Sequence, residues 1–408
     1  MLTRHEILLF FVSTVVLFVA LIYSPWGTLP LFDANGEVRD FAFYLATVSG
    51  FIDHKTTGMA NPQAILDSLR LVLGIIAPEG AKPGPNGLSP TALTIWFPLL
   101  FPLRFSINAA FCAWLATSLS LLLLISARLW RESVPNDTFA RATILALTIA
   151  VLTSAVTRTC LDIGQTSLFA AGLLGILARN LRTQSIPSSR SWWLGFILFL
   201  LSLKSHYFMI GLGMLAIERQ WRSILLGCSL ISVAVLMLDP YGDQRLVPDF
   251  LRTMEHFSGI DDSGDNGFYR GEFASSTPTW LTVTEGILPD PLRHFVNTAA
   301  VIIGALSLVT LFIRSKAIPT TKRLTAASAI MTGVYLCFSP YLGFYEQLLL
   351  IVPLITGAEP ELFHSRRATL LMLVGVMLSL SSLPLKGMVW ASKVAVMGGI
   401  LTISRANR

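Results

Sequence analysis

Charge is scarce in this chain. Of 408 residues, 13% are charged and 53% hydrophobic, where a soluble domain carries about 25% charged. Mean hydropathy is +0.65, so water is not its main solvent. Cysteine is sparse too: Cys112, Cys160, Cys228 and Cys337 stand singly in or beside apolar segments, with no CxxC and no histidine at ligand spacing. That excludes a zinc or redox motif and leaves four small hydrophobes. A Walker loop, a GxSxG elbow and an HExxH pair are also missing. Without a glycine loop to cradle phosphates, a nucleotide-bound donor is disfavoured, and neither cofactor nor metal is expected.

What the chain has instead is long apolar runs. In hydrocarbon an unpaired backbone amide costs several kcal/mol, so each run must close its own hydrogen bonds as a helix or join a closed barrel. The runs are continuous rather than alternating, which selects helices. The expectation is an all-α, polytopic membrane protein, residues 1–408 forming a single membrane-embedded domain. About twelve spans are expected, at 6–23, 90–104, 106–127, 142–157, 166–180, 191–217, 222–238, 292–313, 324–338, 347–357, 368–383 and 388–403. Run 7–23 follows Arg4 like a signal sequence, yet no small-x-small site precedes Ser24-Pro25-Trp26, so it reads as a retained first helix. Several spans are shorter than the roughly 20 residues a crossing needs, which suggests a polar cavity within the membrane.

Two loops, 24–89 and 239–290, hold sixteen of the 24 acids. Basic residues instead cluster in short connections, among them Arg4, Arg219, Arg222, Arg314, Lys316, Lys322, Arg323, Arg366 and Arg367. Such connections stay cytoplasmic, so the formal charge of +6 serves orientation, and nucleic acid is not an expected partner. The two acidic loops then share the outer side of a bacterial inner membrane, periplasm or exterior. In the first, 41–51 and 64–76 carry apolar residues at helical spacing, as in helices lying in the interface. Run 191–217 is ambiguous: one long span, or two short ones hinged at Lys204-Ser205-His206. The single span keeps both long loops and 339–347 on one side, and is the reading taken, although it puts Arg128, Arg131, Arg179, Arg182 and Arg190 outside.

Polar residues among these runs are the functional candidates. Asp40, in Arg39-Asp40-Phe41-Ala42-Phe43-Tyr44, opens an amphipathic helix, where the dipole stabilises its charge. It reads as a general base at the membrane surface, or as an N-cap. Glu346, in Ser339-Pro340-Tyr341-Leu342-Gly343-Phe344-Tyr345-Glu346-Gln347, stands against an apolar run, where an acid is a functional candidate or an interfacial turn residue. Lys204 and His206 interrupt 191–217 and either neutralise a phosphate or snorkel from a hinge. Asp162-Ile163-Gly164-Gln165 is a further polar break or a plain turn. Asp261 to Glu272 carries oxygens at positions one, three, five and twelve of a calcium loop, but Asn266 holds the sixth place, where glycine belongs.

Taken in order, these motifs resemble one family, the polyprenyl-phosphate-sugar-dependent glycosyltransferases of GT-C type, specifically glycosyltransferase family 87. Asp40-Phe41 to Tyr44 and Ala46 are similar to its Asp-Phe-x-x-Tyr stretch in the first outer loop. Leu88-Ser89-Pro90 through Phe101-Pro102-Leu103 resembles its second span, Gly164-Gln165 to Leu174 its Gly-Gln helix, and Gly195 through Lys204 its Gly-Leu to Lys-Pro helix. Ser339 to Gln347 resembles its late Ser-Pro-Tyr-Leu-Phe-Asp-Tyr-Asp segment, with Glu346 in the place of an acid.

The resemblance implies a GT-C-like fold and an inverting, mannosyltransferase-like transfer of a sugar from polyprenyl phosphate to a hydroxyl of a lipid or glycan acceptor, in envelope glycolipid or polysaccharide synthesis. Asp40 would be the base, and Lys204 or Arg39 would offset charge on the departing phosphate. Tyr44, Gln165, His206, Tyr345 and Glu346 would line the substrate site, among membrane lipids that hold the donor's chain. A transporter or flippase of a lipid-linked or polar substrate is the alternative class. It would show inverted repeats with paired broken helices, and no internal repeat is visible.

Overall fold

The structure is a computed structural model that describes residues 4–24, 41–42, 44–45, 48, 70, 90–100, 106–132, 138–182, 188–238, 247–248, 251, 278–339, 344–357, 366–380 and 386–405. All elements among these residues are helical, as continuous apolar runs require. In chain order they are α1 (Arg4–Ile22), α2 (Pro90–Leu100), α3 (Ile107–Glu132), α4 (Thr138–Thr153), α5 (Ala155–Ile163), α6 (Ser167–Leu181), α7 (Ser188–Leu201) and α8 (Ser205–Ile217). There follow α9 (Trp221–Leu238), α10 (Trp280–Val283), α11 (Asp290–Ile313), α12 (Thr320–Phe338), a 3-10 segment (Phe344–Leu350), α13 (Ile351–Gly357), α14 (Arg366–Ser379) and α15 (Lys386–Arg405).

Four of these, α1, α3, α9 and α11, are long and apolar enough to cross a bilayer, and α4 with α5 makes a fifth that bends by 50°. The expected dozen therefore exceeds what helix length alone supports. The bend is built at Ser154, whose extended backbone starts a new helix and whose Oγ accepts from the Thr157 amide at 3.1 Å. Run 142–157 is thus interrupted, and the helix resumes as far as Ile163. The shorter helices sit inside. All fifteen residues of α6 are buried, and its length of about 22 Å need not match hydrocarbon thickness because protein surrounds it. By contrast, only 6% of the apolar window of α1, and of α11, is buried. Phe11, Val16, Ile303 and Leu306 lie exposed on these helices, a surface that only hydrocarbon solvates favourably.

Segment 191–217 is not the single span expected from the sequence. The chain leaves the helix at Ser202 to Lys204 and folds back: a Cβ on Gly211 would lie 2.7 Å from Leu201 Cδ1, although ten residues of straight helix span about 15 Å. Helix α9 then runs alongside α7 in the same direction, Gly195 against Ser223 and Leu226, and Leu198 against Gly227. The break occurs because Lys204, an ammonium in an apolar stretch, reaches a polar cluster only from an extended backbone, and its φ of −135° and ψ of 143° provide one.

This hairpin removes the topological conflict in the sequence. Glu6 approaches Arg128 at 4.0 Å, Arg128 pairs with Glu132 at 3.0 Å, and Arg179 pairs with Glu132 as well. Arg182 donates to the Thr356 carbonyl at 3.3 Å, and Arg323 grips Glu218. The start of α1, the ends of α3, α6, α8 and α13, and the start of α12 therefore share one basic end. Arg128, Arg179 and Arg182, which the single span put outside, lie there. The starts of α3, α6 and α8 and the 3-10 segment gather at the opposite end. Helix α2 meets the hairpin bend there, with Thr91 Oγ1 donating to the Ser202 carbonyl at 3.0 Å. Its described residues are Pro90–Leu100; the rest of the 90–104 run lies outside the described residues.

Candidate active site

The end opposite the basic connections carries a buried polar cluster, assembled from four pieces of the chain. The first is Gly164. Helix α5 closes in a Schellman pattern, the Gln165 amide bonding the Cys160 carbonyl at 2.9 Å and the Gly164 amide the Leu161 carbonyl at 3.2 Å. Gly164 adopts φ +70°, and a Cβ there would meet Phe41 Cβ at 2.5 Å, so glycine is required both for the turn and for the close approach. Its carbonyl accepts from Trp114 Nε1 at 3.0 Å. The turn is thereby fixed, and Gln165 points into the cluster.

The second piece comes from the first long loop. Phe41, Ala42, Tyr44, Leu45 and Val48 are helical and buried, at the spacing of one helical face. That face packs on protein: the Phe41 ring lies 5.9 Å from Trp96 and 5.3 Å from Phe111, and the Tyr44 ring 5.1 Å from Trp96. Anchored so, Tyr44 Oη donates to Gln165 Oε1 at 3.2 Å.

The third is the α7–α8 bend. Lys204 Nζ donates to the same Gln165 Oε1 at 3.1 Å and to Glu346 Oε1 at 3.4 Å. His206 Nε2 lies 3.0 Å from Glu346 Oε1. Its ring stacks on Tyr335 at 4.5 Å, and Tyr335 Oη donates to Glu346 Oε2. Below them Tyr207 Oη pairs with Ser167 Oγ at 2.8 Å, which ties the bend to the start of α6.

The fourth is the 3-10 segment that presents Glu346. Pro353, within α13, has no amide to offer the Leu349 carbonyl, so the chain ahead of it winds tighter than an α-helix. Both carboxylate oxygens of Glu346 are engaged, so it is a poor proton acceptor and a good anchor for cations. Glu346 keeps 5% of its side-chain surface exposed, whereas Lys204 keeps 13% and His206 19%. An incoming anion therefore meets the two nitrogen bases first, with the carboxylate behind them.

Five residues singled out from the sequence, Tyr44, Gln165, Lys204, His206 and Glu346, thus form one cluster. Arg39 and Asp40, the Tyr345 side chain and the 261–272 segment lie outside the described residues. Tyr335 and Tyr207 were missed, because a tyrosine in an apolar helix looks like any aromatic core residue. The adjacency of Tyr207 to His206 was the one available signal. Asp162 does not join the cluster; it pairs at 3.8 Å with Arg158 on an exposed face.

Comparison with known families gives one match: the sequence model of glycosyltransferase family 87 matches residues 89–340. That stretch contains Gln165, Lys204, His206 and Tyr335. No curated protein and no solved structure matches.

Proposed function

The chain belongs to glycosyltransferase family 87, a membrane glycosyltransferase, and from that premise we propose that it moves a sugar from a polyprenyl-phosphate carrier to an acceptor hydroxyl with inversion. The acceptor oxygen attacks C1 of the sugar from the face opposite the phosphate. Asp40 takes the hydroxyl proton as the C–O bond forms. The bond between C1 and the phosphate oxygen breaks with its electrons, leaving polyprenyl phosphate with one further negative charge. Lys204, less buried than Glu346 and steadied by Gln165 and Glu346, offsets that charge, as does Arg39. His206 and Tyr345 are assigned to substrate binding in this reading.

One observation carries this reading: Phe41 and Tyr44, the two aromatic residues of the stretch that resembles Asp-Phe-x-x-Tyr, are packed against the Gly164-Gln165 turn and the Lys204 cluster. Contact of Phe41 and Tyr44 with that turn supports Asp40, the residue before them, as the base. A lipid donor explains why that site lies among short, broken helices, since its chain stays in hydrocarbon while its head reaches polar groups. The basic end, rich in arginine, faces the cytoplasm by the positive-inside rule, which turns the cluster and the acidic loops 24–89 and 239–290 to the periplasm of an inner membrane. About twelve crossings follow if α12, α15 and the short helices α6, α7, α8, α13 and α14 cross together with the four long helices and the bent α4–α5 pair. Family membership favours a transferase over a transporter or flippase.

Incubating the purified protein with radiolabelled polyprenyl-phosphate mannose and its glucose and arabinose counterparts, with a membrane lipid extract as acceptor, tests the proposal. Label should pass from one carrier into a new lipid or glycan with release of polyprenyl phosphate. Absence of transfer from every carrier, alongside transfer from a nucleotide sugar, contradicts it.

A further inference from the structure

At the basic end, far from the cluster just described, a cavity of about 680 Å³ opens between the end of α8, the end of α11 and the start of α12. Arg182, Glu218, Arg219, Ser315, Lys316 and Arg323 line it. Glu218 is the one acid among its lining residues, and Arg323 engages it with two bonds, Nε to Oε1 at 2.7 Å and Nη2 to Oε2 at 2.5 Å. That pair balances itself. The lining then keeps a surplus of positive charge from Arg219 and Lys316.

One further observation points to a ligand. Ser315 Oγ is buried, 4% exposed for the residue, and has no hydrogen-bond partner among the described residues, a state that buried hydroxyls rarely tolerate. Arg219 adopts φ +55°, the one positive φ of a non-glycine residue among those described. The turn that imposes it, with the Arg219 amide on the Ala216 carbonyl at 2.9 Å, holds the guanidinium 5.2 Å over the Phe312 ring. Arg219 is the left-handed residue of a Schellman cap on α8, the Gln220 amide bonding the Leu215 carbonyl at 2.9 Å. Beside the cavity, Trp221, Leu225 and Ile313 are exposed apolar side chains.

We propose that this cavity binds a phosphate-bearing anion, the chemistry shared by an anionic phospholipid headgroup and free phosphate. The phosphate sits against Arg219, Lys316 and the Ser315 hydroxyl, and a lipid's chains follow the apolar strip beside Trp221 and Ile313. This site is independent of the transferase reading, because it shares no residue with the cluster at the other end.

Native mass spectrometry of the full chain in detergent tests it, with phosphatidylglycerol, phosphatidylcholine or inorganic phosphate added. The variant Arg219→Asn/Lys316→Gln removes two cations, and asparagine accepts the positive φ, so folding is spared. Arg131→Gln removes a cation from the same end outside the cavity. Retention of phosphatidylglycerol over phosphatidylcholine should fall by about fivefold per cavity cation removed and stay unchanged in Arg131→Gln. If millimolar phosphate displaces the lipid, or binds by itself, the free ion shares the site; if it does not, the headgroup is the ligand. Equal retention by wild type and the cavity variant, with no phosphate bound, overturns the proposal.

Discussion

Lys204 and Glu346, separated by 142 positions in the sequence, meet with Nζ 3.4 Å from Oε1. The contact joins the hairpin bend to the 3-10 segment and buries a carboxylate that, alone, would be expensive to desolvate. Each charge is in place because the other is. Removing Lys204 leaves Glu346 to His206 and Tyr335 alone, so Lys204→Met should lower unfolding stability by roughly 1.5–3 kcal/mol. The double variant Lys204→Met/Glu346→Leu should lose less than Lys204→Met alone. Denaturant unfolding in detergent, followed by tryptophan fluorescence, gives both numbers. A double variant as unstable as the sum of the singles contradicts the pairing.

Tyr335 holds the second oxygen of the same carboxylate and stacks on His206. Tyr335→Phe keeps the ring and removes the hydroxyl, taking away a charge-assisted hydrogen bond worth roughly 1.5–3 kcal/mol. Transfer activity should drop by about tenfold or more while the protein still elutes as a folded species. Unaltered activity would show that Glu346 does not depend on Tyr335 for its position.

Gly164→Ala meets two obstacles, a left-handed φ and the Phe41 side chain at 2.5 Å. The turn must move, carrying Gln165 away from Tyr44 and Lys204. A loss of about 2 kcal/mol in stability is expected from strain alone, with a larger proportional loss of activity than of folded protein. Thermal melts and transfer assays on one preparation separate the two effects.

The hairpin makes a topological prediction opposite to the one-span reading of 191–217. Reporter fusions after Arg182 and after Arg219 should both report the cytoplasm, and a fusion at Lys204 the opposite side. Matching signals at Lys204 and Arg219, with Arg182 opposite, would restore the single span.

The membrane character, the helical class and most of the cluster were legible in the sequence for one physical reason: a polar residue in an apolar run stands out because it is expensive there. Gln165, Lys204, His206 and Glu346 all announce themselves in this way. Tyr335 and Tyr207 do not, since their rings suit an apolar helix and only their hydroxyls act. Hydropathy also could not show the fold at 202–204. A straight span and a helical hairpin bury similar apolar surface, and what chooses between them is Lys204 reaching Gln165 and Glu346, both distant in sequence. The bend at Ser154 escaped notice for a related reason. A serine that caps a new helix is indistinguishable, by composition, from one inside a span.

The central claim is that the acidic motif of the first loop supplies the base for sugar transfer beside the Lys204 cluster. Initial rates with the active polyprenyl-phosphate sugar, wild type against Asp40→Asn, test it most directly. The account predicts a loss of about 100-fold or more, in line with the contribution of a general base, with donor binding and folding retained. Full activity in Asp40→Asn would contradict it.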